Sequence, residues 1–385
     1  GPGRPSNSDG SGSGYGGYGG SYQGNSVSYP SGVPYGSVTA PINLGSGHYN
    51  NAYTNGGGAV IINVTGQTNV TGSIESNPYR IISTAIGSTG GSIYLITGTL
   101  VGTGNISAAG NSLAYSDWGS GSGGRIAVHL TSGNDFNSVS FVNHGSRDTN
   151  CQSSTCSGAA GTIYLKKAAE IYGTLIVDNN NYATNPGITT AISSNETTYL
   201  GNITLKMLAR LEVPSTNSTL VIVDSRNITG DNQNNSRIII NGNLTFANYT
   251  SFINWTALTL EDNGQVNNLS DNITISGFKW SVNESSEFNN NRTNLTIEGG
   301  AIFELGKPNN LGITLRHILV KSRGTLTHSA NTASNETYKL NMTLLGNLTV
   351  ESTGSINVSG VGYKWGTGPG RPSNSDGSGS GYGGY

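Results

Sequence analysis

The sequence predicts an all-β protein, wound as a parallel β-helix (β-solenoid) and repeated in tandem along a fibre. Three observations carry the prediction. Short apolar runs with period-two alternation recur along most of the chain, bounded by Gly or Asn. Only 10% of the 385 residues are charged and 58 are Gly, whereas an ordinary globular domain is roughly a quarter charged. Finally, GPGRPSNSDGSGSGYGGY at residues 1–18 returns unchanged at 368–385, so the chain holds one 367-residue period and the start of the next.

Four stretches follow one another. Residues 1–40, rich in Gly, Ser, Tyr and Pro, read as a linker or a loosely wound strip, with Tyr15, Tyr18 and Tyr22 available for packing. Residues 41–190 alternate apolar strands with Gly-rich turns, and residues 191–367 alternate strands with Asn-rich turns. Residues 368–385 open the next identical repeat. The clearest strands are SIYLITGTL (92–100), RIAVHL (125–130), TIYLKK (162–167), TLIVDN (174–179) and SRIIINGNLTF (236–246). Few are joined by two-residue hairpins, and TGSI recurs at 71–74 and 353–356. Both facts favour a solenoid over a sandwich or barrel. Each coil is expected to use roughly 20–25 residues and to advance about 4.8 Å.

The net charge of −2 offers nothing to phosphate backbones or anionic lipid. No run approaches the ~18 apolar residues of a membrane span. With no initiator Met and no signal peptide, the chain is expected to begin partway through something longer. Cys151 and Cys156 stand close together in the polar phrase CQSSTC, where they can close a small disulfide; that pairing implies an oxidising compartment.

The Asn-rich stretch carries the sharpest functional signal. Asn-X-Ser/Thr occurs at Asn63, Asn69, Asn105, Asn195, Asn202, Asn217, Asn227, Asn234, Asn243, Asn248, Asn254, Asn268, Asn272, Asn283, Asn291, Asn294, Asn335, Asn341, Asn347 and Asn357. Seventeen of the twenty fall between 195 and 357, where composition alone would give roughly six or seven. In NITL at Asn202, and likewise at Asn243, Asn272, Asn294, Asn341 and Asn347, the order is Asn, apolar, Thr, apolar. A strand sends alternate side chains to opposite faces, so Ile203 and Leu205 can enter a core while Asn202 and Thr204 meet water. Asn and Thr as mere polar halves of strands, or stacked as Asn ladders, would explain the alternation. They would not explain why Thr follows two after Asn at fifteen sites. N-linked glycans are therefore expected, and no other cofactor.

Several phrases of the first half also carry a resemblance. PYGSVTAPINLGSG (34–47), GGGAVIINVTG (56–66), GGSIYLITGTLVGTGNISAAG (90–110), GSGGRIAVHL (121–130) and GAAGTIYLKKAAEIYGTLIVDNN (158–180) follow in order. Residues 34–182 thus resemble a Gly-rich, β-helix-like repeat region of very large surface proteins of bacteria and archaea. The resemblance implies a solenoid at the cell surface and brings no catalytic signature.

β-Helices also include polysaccharide lyases and hydrolases, which need convergent carboxylates, or carboxylates with Lys or Arg. The candidates are Asp224 with Arg226 and Asp231, and the sparse group Lys206, Arg210 and Glu212; surface ion pairing accounts for both. His48, His129, His144, His317 and His328 show no metal spacing. Asp178 with Asn179 to Asn181 reads as a turn before it reads as a Ca²⁺ loop. Gly-X-Ser-X-Gly does not occur. Trp118, Trp255, Trp280 and Trp365 offer sugar platforms or, more simply, core and cap residues. The expectation is thus a non-enzymatic structural subunit of an extracellular or cell-surface filament, partnered by copies of itself joined covalently or head to tail. An adhesin stalk and a β-helix lyase or hydrolase are the alternatives.

Overall fold

A computed structural model describes residues 1–5, 10–24, 27–28, 31–48, 54–80, 87–111, 118–147, 156–214, 217–223, 228–230, 236–250, 255–256, 259–262, 264–269, 271–283, 291–306, 312–371 and 380. Among them the chain is all-β, without an α-helix, and most of its sheets are parallel. It divides into two compact units, Gly1–Asn248 with Trp255–Thr259, and Tyr249–Asn254 with Leu260–Tyr385.

The first unit is organised by an eight-stranded sheet. In chain order its strands are Ala59–Asn69, Ser92–Val101, Arg125–Leu130, Thr162–Lys166, Thr174–Asp178, Asn202–Lys206, Ile228–Thr229 and Trp255–Thr256, and they are neighbours in that same order. Ala59 lies opposite Ser92, Ser92 opposite Arg125, and Arg125 opposite Thr162. Each of these passes is longer than the coil expected from the sequence. Among the described residues, each pass carries a Gly-rich segment outside its strands, at 87–91, 119–124 and 156–161. One face of the sheet buries Ile93, Leu95, Ile126, Val128, Ile163 and Leu165 against Val70, Leu100, Ile106, Leu130 and Val139. A second parallel sheet of Ser73–Glu75, Asn105–Ser107 and Ser140–Val142 adds Ile106, Ile74 and Phe141 to this core. Each fully buried aliphatic side chain contributes about 1.5–3 kcal/mol, so the alternation seen in sequence has a packing cause.

Every pairing in the large sheet is parallel except one. Thr162–Lys166 meets Thr174–Asp178 antiparallel, with Tyr164 opposite Leu175. Strands before this hairpin therefore run one way and strands after it run the other. The Tyr164 hydroxyl closes the connection by accepting the Gly173 N–H at 2.7 Å.

The strip at residues 10–20 is not loosely wound: Ser11 to Gly17, Gly19 and Gly20 are all buried. It lies among other Gly-rich segments outside the sheets, and its hydrogen bonds have a period of three. Along the segment 119–124, the N–H groups of Gly119 and Ser122 go to Gly10 and Ser13, and those of Ser120 and Gly123 go to Cys156 and Ala159. The carbonyls of Ser120 and Gly123 in turn accept from Gly20 and Gly16. A strand alternates between two neighbours. Contacts rotating with period three are those of an extended three-residue helix of the polyproline II kind, which has no internal bonds and must find partners outside. Backbones then approach too closely for side chains. A Cβ on Gly16 would lie 2.1 Å from the Gly124 carbonyl oxygen, and one on Gly121 2.0 Å from that of Ser88.

Arg125, from the GGRIA phrase, fastens this bundle to the sheet. It is fully buried; its Nε donates to the Tyr35 carbonyl, Nη1 to Thr162 Oγ1 and Nη2 to the Ala191 carbonyl. Its guanidinium lies 5.7 Å from the centroid of Tyr15, which packs 4.5 Å from Tyr35. Burial lowers the Arg125 pKa to about 10, with no carboxylate in hydrogen-bond contact among the described residues. Oriented carbonyls and ring faces replace its water.

Past the hairpin the passes shorten. Thr174 lies opposite Asn202, and Ile203 opposite Ile228. Two further parallel ladders appear, Thr190–Ala191 with Arg210–Val213 and Arg237–Ile240, and Thr197–Leu200 with Thr219–Ile222 and Asn243–Thr250. SRIIINGNLTF, expected as one strand, is thus two strands in different sheets. The break falls at Asn241–Gly242, where Gly242 abuts the Pro214 and Ser218 carbonyls and turns the chain.

The second unit repeats this plan. Asn272–Ser276, Asn294–Glu298, His317–Val320 and Leu348–Val350 form one parallel ladder. Lys279–Asn283, Ile302–Gly306, Thr325–His328 and Ser355–Ile356 form another. Asn272 lies opposite Asn294, and Asn294 opposite His317. Both spacings fall inside the range expected for one coil. Ile273, Ile275, Leu295, Ile297, Trp280, Val282 and Phe303 are buried. On the last pass the inward-type positions are uncovered: Leu348, Val350, Ile356 and Val358 are all exposed.

Candidate functional site: acceptor side chains on the strand faces

The Asn-apolar-Thr-apolar motif behaves as strand geometry requires. In Asn202–Lys206 and Asn294–Glu298, Ile203, Leu205, Leu295 and Ile297 are buried while Asn and Thr are half-exposed. Asn63, Asn69, Asn195, Asn217, Asn272, Asn291, Asn335, Asn341, Asn347 and Asn357 are exposed or nearly so, and Asn105, Asn202, Asn243 and Asn294 half-buried. No acceptor whose side chain is described is buried. Asn227, Asn234 and Asn254 lie outside the described residues, as do the side chains of Asn248, Asn268 and Asn283.

Two acceptors stand in turns with left-handed backbone, Asn195 at φ 62° and Asn217 at φ 52°, a conformation that Asn tolerates better than most residues. Two others form a cross-strand pair. Asn294 Nδ2 donates to Asn272 Oδ1 at 2.7 Å from the directly opposed strand position. This is the Asn ladder contact weighed against glycosylation; it uses one of the two N–H bonds of the nitrogen to which a sugar would be attached. At neighbouring strands ~4.8 Å apart, two glycans would also collide.

The other candidates are largely engaged in structural contacts. Glu212 accepts from Asn241 Nδ2 at 2.8 Å and from Thr189 Oγ1, while Lys206 is exposed. Asp224, Arg226 and Asp231 lie outside the described residues. Asp178 Oδ1 accepts the Asn180 N–H at 2.9 Å in a turn whose Asn180 and Asn181 have positive φ. No cluster of three or more His, Cys, Asp or Glu fit for a metal occurs among the described residues.

Four imidazoles contact backbone carbonyls: His48 Nε2 that of Ser11, His129 Nε2 that of Thr39, His144 Nδ1 that of Gly145 and His328 Nδ1 that of Ser329. His317 Nδ1 accepts the Asn347 N–H. Burial pushes His48 down to about 4, against the upward pull of its bond to Ser11. Trp280 is wholly buried with its ring 6.0 Å from Phe303, Trp118 meets Tyr22 edge-on, and Trp365 is 95% exposed. The Trp255 side chain is outside the described set. Cys156 is buried; Cys151 lies outside the described residues.

Two features had no counterpart in the sequence reading. One is Glu304, which accepts from Lys279 Nζ and Ser281 Oγ at 2.8 Å and from Ser329 Oγ at 3.1 Å. Burial raises its pKa, but these hydrogen bonds and the Lys279 charge outweigh burial and hold the carboxyl below its ordinary value. The other is an aromatic cleft in the first unit, between Tyr164, Tyr172 and Tyr199. Among the described residues no helix is long and apolar enough to cross a membrane. No family model, no curated protein and no solved structure matches the chain.

Proposed function

We propose that this chain is a repeat unit of an extracellular, N-glycosylated filament, wound as a parallel β-solenoid and acting through stiffness, length and a sugar coat rather than through catalysis. The observation that carries the reading is the strip at residues 10–18. It is buried from Gly10 to Gly17, its backbone is bonded to at least three other segments, and its whole sequence recurs within 368–385. Identical sequences have identical complementarity. The second copy fits the equivalent slot of an adjoining unit, whether the units are one polypeptide or docked head to tail.

The open last pass supports the same reading. Exposed Leu348, Val350 and Ile356 on edge strands are what a following pass would cover. The acceptors with described side chains are exposed or half-exposed, so a glycan coat can grow without disturbing the core and can shield long β surfaces from lateral pairing. The resemblance of residues 34–182 to surface-protein repeats fits as well.

Glycopeptide mapping of the native protein tests the glycoprotein half. Sugars at Asn202, Asn243 and Asn341, together with a mass gain of two hydrogens on reduction of a Cys151–Cys156 disulfide, are expected. Bare polypeptide with two free thiols would remove both the coat and the oxidising compartment.

A further inference from the structure

A cleft of about 250 Å³ opens on the first unit, lined by Tyr172, Tyr199, Glu196, Lys166, His129 and Thr198 among others. Its size falls just under the ~300 Å³ at which drug-sized pockets begin, which suits a single sugar ring. Tyr172 and Tyr199 stack with centroids 5.3 Å apart and planes only 19° from parallel, and Tyr199 is 43% exposed. The opposite wall is rigid. The His129 ring sits edge-on between Tyr94 at 5.3 Å and Tyr164 at 5.4 Å, its Nε2 bonded to the Thr39 carbonyl, while the Tyr164 hydroxyl holds Gly173. Thr197 lines the cleft from the same strand face as Tyr199 and is exposed, whereas Thr198 between them points inward.

From this geometry we infer that the cleft is a binding site for a pyranose sugar. An aromatic face takes the C–H face of the ring; a carboxylate, an ammonium and the exposed Thr197 hydroxyl beside it take ring hydroxyls. Lys166 and Glu196 supply charge-assisted hydrogen bonds of the stronger kind, and the packed His129–Tyr164 wall keeps the site preorganised. Two sources of that sugar fit the same chemistry. One is a free or neighbouring saccharide. The other is the glycan of Asn195, because Glu196 and Thr197 of its own Asn195-Glu196-Thr197 acceptor motif line the cleft and Asn195 itself is exposed. A ligand tethered one residue from its site enjoys a high effective concentration. This second source rests on the glycoprotein reading above; the first does not.

The test has two arms. In the first, full-length protein with Asn195→Gln, enzymatically deglycosylated, is titrated with methyl glycosides of glucose, galactose, mannose and N-acetylglucosamine, and read by saturation-transfer NMR. Transfer to one of them, reduced about tenfold or more by Tyr199→Ala and retained by Tyr199→Phe, establishes the site with a free ligand. In the second, the glycan of the native protein is compared before and after release. Upfield ring-current shifts on the Asn195-linked sugar that vanish in Tyr199→Ala establish the tethered ligand. Tyr199 is solvent-facing, so circular dichroism is expected to show both variants folded. If neither arm gives a Tyr199-dependent signal the inference is wrong, even where mapping finds Asn195 glycosylated. An unglycosylated Asn195 with Tyr199-dependent free binding leaves the site standing and removes only the tethered source.

Discussion

The Gly-rich half and the Asn-rich half both pack their strands through buried aliphatic side chains, and differ in what fills the interior beside those strands. Before the hairpin at residues 162–178, much of the interior is backbone against backbone, with Gly12, Gly16, Gly121 and Gly124 at distances that exclude a Cβ. After it the interior is side chain against side chain, as with Ile203 and Leu205 or Leu295 and Ile297, and the outward positions are free to carry Asn and Thr. The acceptor motifs follow this division: three precede the hairpin and seventeen follow it. A Gly bundle leaves no side chain to decorate. An alternating strand leaves every second one.

The largest expected effect breaks the first half. Gly121→Ala places a methyl 2.0 Å from the Ser88 carbonyl, and its cost is expected to exceed about 4 kcal/mol, the range of exceptional single substitutions. Gly58→Ala, with nothing within 4 Å of the added Cβ, is expected to be neutral or to stabilise by up to about 1 kcal/mol through the unfolded chain. Thermal melts of the two variants give this comparison; equal effects would refute the backbone-packed interior. In the second unit the sensitive positions are apolar. Ile297→Ala is expected to cost about 2–5 kcal/mol by leaving a cavity, read by urea titration, whereas Thr296→Ala on the outer face changes stability by less than about 0.5 kcal/mol.

Acid separates the halves next. His48 is held neutral, with its pKa lowered to about 4 from 6.5. A lowered imidazole pKa means that the unfolded chain takes up the proton first. Stability is therefore complete above about pH 6.5 and declines as pH falls toward 4, by up to about 3 kcal/mol. The acid limb is expected to flatten in His48→Asn, measured by chemical denaturation from pH 4 to 7. The smallest effect concerns the coat itself. Because Asn294 donates to Asn272 from the opposed strand position, glycopeptides are expected to show Asn272 or Asn294 occupied but not both on one chain.

Much of the Asn-rich half was legible in the sequence because side-chain alternation writes itself into residue order. NITL at 202–205 announces a strand and its exposed face together. SIYLITGTL, RIAVHL and TIYLKK were equally plain. The Gly bundle was not: GSGSGYGGYGG reads as a linker, since a residue without a side chain carries no facing signal and its partners, such as Gly123 for Gly16, are far away in the chain. The clue present was the recurrence of closely spaced Gly at 87–91, 119–124 and 158–161, which is what several mutually packed segments require. The hairpin reversal was hidden because period-two patterns carry no strand direction. The aromatic cleft was hidden because His129, Tyr164, Tyr172 and Tyr199 come from two different sheets and a connecting turn, and are far apart in the chain.

The central claim is best tested by cryo-electron microscopy of the native assembly at a resolution that shows backbone. The account predicts continuous filaments with about 4.8 Å between passes, the residue 368–385 copy threaded into a Gly bundle like that around residues 10–18, and branched density at Asn202 or Asn243. Discrete bare particles, with residues 368–385 outside any bundle, would contradict it.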